Sequence, residues 1–177
     1  VKYLLKRFTK IAIIIAIYAI FILISLRQPA NSQVIDSSFY NWTVYEIEDE
    51  ESDDKQCYIV AHPKKIDSNH NSRQKPYVMI TRFQRDRVEE VSVFGGFEFK
   101  ENSKIFFLVD DMQFRLVAIK NIAWAKTKVE DAQIISNMLN SGTLRIRSDS
   151  DVGTYAVDQY SLKGITRAYA RMREICR

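Results

Sequence analysis

Hydrophobic and polar positions along this chain fall into two regimes, one uninterrupted and one alternating. Ile11 and Leu26 bound an uncharged run of 16 residues. As a helix it would reach roughly 24 Å, short of a hydrocarbon core of about 30 Å. Beyond it the pattern shortens to a period of two, the mark of strands with one buried face. Trp42 and Val44 alternate with polar neighbours, and Ile47 follows less cleanly. Residues 56–61 and 76–83 are dense β-forming runs, and a turn at 85–87 leads into a return strand with Val91 and Val93 in alternation. Gly95 and Gly96 break that strand as a bulge or a left-handed position. Residues 104–110 and 113–119 flank Asp110, Asp111 and Met112 as a hairpin. Residues 143–147 put Leu144 and Ile146 inward and both arginines outward. Residues 153–160 form another strand, with Tyr155, Val157 and Tyr160 on related faces.

Two stretches have a helical period instead. Thr127 and Glu130 have the spacing of a capping box. Val129, Ala132, Ile135, Met138 and Leu139 would make the apolar face, and Gly142 the closing cap. Ser161 is placed as N-cap of a last helix, along which Leu162, Ile165, Tyr169, Met172 and Ile175 recur at helical steps. Lys163, Arg167, Arg171 and Arg173 decorate its other side, as the wet face of a packed helix or as a surface for anionic lipid. The pattern predicts an α+β, mainly β domain of about eight to ten antiparallel strands. It would be a sandwich or open barrel with two covering helices, behind an N-terminal hydrophobic signal or anchor helix.

Charge changes the picture of the N-terminus and of the partners. The formal net charge is +4, but five of the 26 basic residues precede Gln33 with no acid among them, leaving 21 against all 22 acidic ones. A basic balance that resides in the leader gives no reason to expect nucleic acid. Lys2, Lys6, Arg7 and Lys10 ahead of Ile11 form a positive region followed by an apolar one, the order of an export signal. Ala30 and Ser32 offer small residues for cleavage after Ser32, and an uncleaved signal anchor is the rival reading. Both place the basic end in the cytoplasm and the remainder in the periplasm or cell envelope. The expected organisation is residues 1–32 as signal or anchor, 33–40 as linker and 41–177 as the β-rich domain.

Candidate chemistry is sparse. Residues 48–54 are almost all acidic and could offer calcium hard oxygen ligands, but the spacing is not that of an EF-hand, and a solvated hairpin loop is favoured. Asn41 begins a glycosylation sequon that matters only in a eukaryotic secretory route. His62 and His70 lack evident metal partners. Asp110 and Asp111 could serve a hydrolase as a carboxylate pair, yet paired aspartates are common turn residues and no nucleophile lies near. No catalytic residue, metal or cofactor is expected. Cys57 and Cys176 are the only cysteines. They lack the Cys-x-x-Cys spacing of a redox site and the number a metal site needs. In an oxidising compartment a structural disulfide closing roughly 120 residues follows, with about 4–5 kcal/mol of chain-entropy stabilisation.

Taken together, Trp42, Cys57, the run 76–78, Val91 and Val93 with Gly95, Ala123-Trp124-Ala125, Asp131 and the run 161–164 ahead of Cys176 resemble the invasion-associated locus B family. The resemblance covers most of the chain from Trp42 to Cys176, and Ser161-Leu162-Lys163-Gly164 with its following cysteine is its most specific part. It implies an exported, non-enzymatic envelope protein of alpha-class proteobacteria. Such a protein would bind envelope or host proteins, with a link to host-cell entry and virulence in some members. It supplies no catalytic residues.

Overall fold

The computed structural model describes residues 33–49 and 54–177. Its strands are β1 (Gln33–Phe39), β2 (Trp42–Asp49), β3 (Asp54–Ala61), β4 (Lys65–Ser68), β5 (Tyr77–Phe83), β6 (Glu89–Phe94), β7 (Ile105–Val109), β8 (Met112–Ile119), β9 (Ile122–Trp124), β10 (Thr143–Asp149) and β11 (Tyr155–Ser161). The helices are α1 (Lys128–Leu139) and α2 (Ile165–Ile175). All strands join one antiparallel sheet in the order β1-β2-β3-β5-β6-β9-β8-β7-β10-β11-β4. The mainly β expectation holds, with eleven strands rather than eight to ten and a single sheet. The proposed signal helix between Ile11 and Leu26, the cleavage point after Ser32 and the tip of the acidic loop lie outside the described residues.

Strand β8 serves both halves of the sheet. Its first part pairs with β7 and its last three residues pair with β9. Inward side chains from both halves, including Trp42, Ile59, Val78 and Val93 from one and Phe107, Leu116, Leu144 and Ile146 from the other, belong to one buried cluster. Alternation on β10 is as the sequence predicts, with Leu144 and Ile146 buried and Arg145 and Arg147 exposed. On β11 the inward residues are Ala156, Asp158 and Tyr160, so Tyr160 faces away from Tyr155 and Val157 rather than sharing their side. A period of two admits only one of these sets per face.

Residues 33–40 are no linker. Seven of them form β1, paired along β2, with a register shift between Ile35 and Ser37. The free backbone groups of β2 supply the partner that side-chain pattern alone did not show, and Asp36 is then clamped by Arg171 at 2.9 and 2.7 Å.

Both helices start or face differently from their sequence signals. Helix α1 is N-capped by Thr127, whose hydroxyl accepts from Glu130 N–H at 3.2 Å. Its buried residues are Asp131, Ile134, Ile135 and Met138, while Val129 stays exposed. The cause is Asp131, whose Oδ1 accepts the Val91 N–H at 2.8 Å where β9 no longer pairs with β6. A buried ladder donor needs an acceptor, and meeting that need turns the helix. The helix ends on Asn140, not at Gly142. Helix α2 begins after Gly164, and Ser161 closes β11. Gly164 sits at φ +97, and a Cβ there would meet the Phe39 carbonyl oxygen at 2.1 Å, so only glycine fits the turn. Helix α2 packs along β1, β2 and β3, and α1 along β6 and β7.

Candidate functional site

Strand alternation gives the first half of the sheet an outward face, and that face is largely apolar. Register places Tyr45 beside Tyr58 and Tyr58 beside Thr81. The next row runs Thr43, Val60, Met79, Ser92, Trp124 and Val117. A third row brings Tyr77, Phe94, Ile122 and Ile119 together. Tyr45 and Tyr58 stack with centroids 5.0 Å apart, and Tyr77 and Phe94 at 5.1 Å. Between the first pair and Tyr77 lies a groove of about 440 Å³, with Val60 and Met79 on its floor and Gln33, Gln56 and His62 among its lining. No side chain lining it carries a fixed charge.

The groove alters one of its tyrosines, Tyr58. Burial, then the neighbouring Tyr45, pushes the Tyr58 hydroxyl up to about 12, although Gln33 hydrogen-bonds to it. Further along the sheet, Ile119 is 69% exposed and Val117 45%. Contiguous exposed apolar surface of this kind marks interaction sites on folded proteins.

A pair of carboxyls borders this face. Burial, then Asp131, raises the Glu90 carboxyl, which accepts from the Trp124 indole. Burial also raises Asp131, with the Val91 N–H opposing and Glu130 adding to the rise. A carboxyl whose folded pKa exceeds its unfolded value favours the native state most at low pH, and that contribution fades as pH rises through the folded value. Replacing both by amides (Glu90→Gln with Asp131→Asn, the Asn keeping an acceptor for Val91) should therefore flatten the decline in melting temperature from about pH 4 to about pH 7. Thermal unfolding across that range checks it, and parallel profiles for parent and variant would show that the pair is not linked to folding.

Of the residues singled out by sequence, His62 lines the groove and the others lie elsewhere. Cys57 and Cys176 form the expected disulfide, with Cα atoms 5.9 Å apart. It joins β3 to the end of α2 on the inward side. Asp110 is at the β7–β8 turn, where its carboxylate accepts from Thr143 N–H at 3.2 Å and Thr143 Oγ1 at 3.0 Å. Those bonds, the side-chain one first, hold it below the usual carboxylate range. It fastens the start of β10, and neither histidine shares a hydrogen bond with it. His62 bonds the Pro76 carbonyl at 2.8 Å and His70 bonds Thr154 Oγ1 at 2.7 Å. The acidic stretch does join two hairpin strands, since Asp49 pairs with Asp54. Among the described residues no group of three or more His, Cys, Asp or Glu is placed to hold a metal ion, and no helix is long and apolar enough to cross a membrane.

The outward face itself had a sequence signal. Tyr58 and Val60 are as apolar as Cys57 and Ile59, and Tyr77 and Met79 as Val78 and Ile80. Strands apolar on both sides belong where both sides are covered. No family model, curated protein or solved structure matches the chain.

Proposed function

We propose that this protein is an exported, non-enzymatic binding protein of the cell envelope or periplasm, as its resemblance to the invasion-associated locus B family implies, and that it engages another envelope or host protein through the outward face of β2, β3 and β5. The observation that carries this reading is the uncharged aromatic groove around Tyr45, Tyr58, Tyr77 and Met79, continued by exposed Val117 and Ile119. The Cys57–Cys176 disulfide supports an oxidising compartment. The basic leader is consistent with delivery there, with membrane attachment through the stretch from Ile11 to Leu26 if that stretch is retained. In this reading the bent sheet is a sandwich whose inner faces make the core and whose first outer face makes the contact.

A photo-crosslinking residue at Met79 tests the reading in living cells, with one at Gln113 on the other half of the sheet as control. A specific envelope or host protein should be captured from Met79 and not from Gln113, and capture should fall at least about tenfold in Tyr45→Lys, since a buried charge opposes an apolar interface. Equal capture from both positions would overturn the assignment.

A further inference from the structure

Where the end of β5 and the turn after it meet the last turns of α2, the surface carries a second cavity of a different chemistry. It holds about 530 Å³ and is lined by Arg82, Arg87, Ala170, Arg173, Glu174 and Arg177. Four guanidinium groups around one cavity stand out in a chain whose residues from Gln33 onward have nearly balanced charge.

The floor is rigid. Arg82 is 6% exposed, donates from Nε to the Cys176 carbonyl at 3.0 Å, and pairs through Nη1 with Glu89 at 2.6 Å. The other Glu89 oxygen accepts from the Tyr169 hydroxyl at 2.6 Å, and Arg173 approaches Glu89 at 3.5 Å. Glu174 is engaged by Arg171 at 3.0 Å. Glu174, which lines the cavity, and Glu89, which holds Arg82, are thus already committed. Arg87 and Arg177 have no ion-pair partner among the described residues. Arg87 moreover sits at φ +57, a conformation that disfavours a long side chain, at the turn whose Asp86 carboxylate accepts from the Val88 N–H. The basic residues elsewhere on α2 and just ahead of it are differently employed. Arg171 clamps Asp36, while Lys163 and Arg167 lie over the Tyr40 ring at 4.2 and 5.3 Å.

We infer that this cavity binds a phosphate-bearing ligand, with Arg87 and Arg177 closing on its oxygens above the fixed Arg82. Guanidinium groups match phosphate oxygens two at a time. Two uncompensated arginines suit an anionic phosphate, either a monoester or the diester of an anionic lipid headgroup. The cavity leaves room beside a phosphate group for an organic part, as in a phosphorylated small molecule or a phospholipid headgroup.

The test uses the full chain in neutral detergent. Inorganic pyrophosphate and, separately, water-soluble dihexanoyl phosphatidylglycerol are titrated calorimetrically, with zwitterionic dihexanoyl phosphatidylcholine as the control of zero net charge. Saturable binding of either anionic probe is expected, weakened by added salt and reduced at least tenfold in Arg87→Ala/Arg177→Ala. That variant leaves Arg82, Glu89 and the disulfide in place, and an unchanged melting temperature confirms its fold. If it does not fold, the single changes Arg87→Gln and Arg177→Gln carry the same comparison. Binding of pyrophosphate alone identifies a soluble phosphorylated ligand, and binding of the phosphatidylglycerol identifies a headgroup. Absence of saturable binding to both, or affinity unchanged in the variants, overturns the site.

Discussion

Replacing Cys57 and Cys176 by alanine should lower unfolding stability by about 4–5 kcal/mol, the chain-entropy value for a loop of this length. The bridge spans 119 positions. Without it the unfolded chain regains the freedom that a closed loop denies it, while the native sheet keeps its hydrogen bonds. In a domain of this size each kcal/mol moves the melting temperature by about 2–4 °C, so a fall on the order of 10–20 °C is expected. A local effect adds to the global one. The Cys176 carbonyl is the acceptor for buried Arg82, and an end of α2 that frays leaves that guanidinium short of a partner. Urea unfolding of the oxidised parent against the variant measures the difference. A loss below about 1 kcal/mol would mean that α2 is held by its packing alone, and two free thiols in the unfolded, unreduced parent would remove the bridge altogether.

The second large effect concerns Asp158. Its place on β11 points it inward, where it is 1% exposed. A lone carboxylate there would be untenable. Arg73 meets it with two parallel bonds of 2.7 and 2.5 Å, donates from Nε to the Gly95 carbonyl at 2.7 Å, and lies 4.8 Å over the Phe97 ring. Asp158→Ala leaves this guanidinium buried without its counter-charge, at an expected cost of about 3–5 kcal/mol. Arg73→Met with Asp158→Leu removes both charges and should cost less than either single change, because a buried pair exchanged for apolar side chains is often close to neutral. Denaturant midpoints of Arg73→Met, Asp158→Leu and the double variant, each against the parent, form a cycle. Additive losses would show that the two groups do not act as a unit.

Arg73 also explains why part of the fold was legible in the sequence and part was not. Local signals carried well. Alternation at Leu144 and Ile146 set the faces of β10, the aspartates at 110 and 111 marked a hairpin, and Thr127 capped α1. Gly96 was legible as a left-handed position. It has φ +76, and a Cβ would strike the Gln74 carbonyl oxygen at 2.2 Å. Features decided by a distant partner were not legible. Asp158 reads as an ordinary polar strand residue until Arg73, 85 positions earlier, is found against it. Asp131 reads as a solvent-facing helix residue until the unpaired Val91 N–H appears beside it. Residues 33–40 read as a linker because a strand at a sheet edge needs a neighbour's backbone more than a pattern of its own. The groove and the arginine cavity are likewise assembled across the sheet. Their members lie on different strands or on a turn and a helix; the apolar runs of β3 and β5 hint at the groove, whereas no spacing along the chain announces the arginine cavity.

The place of β4 sets an order of events. Strand β4 pairs only with β11, and 88 positions separate Asp67 from the Tyr155 hydroxyl it accepts. A chain that emerges N-terminus first therefore displays the β4 segment, and the thiol of Cys57, long before their partners exist. During that interval β1, β2, β3, β5 and β6 can zip as neighbouring hairpins, whereas the far edge must wait for nearly the whole sequence. Long-range pairing of this sort slows folding and prolongs the life of open edges. The segment that waits longest is four residues long and begins with lysine, a strand too short and too charged to recruit another copy while it waits.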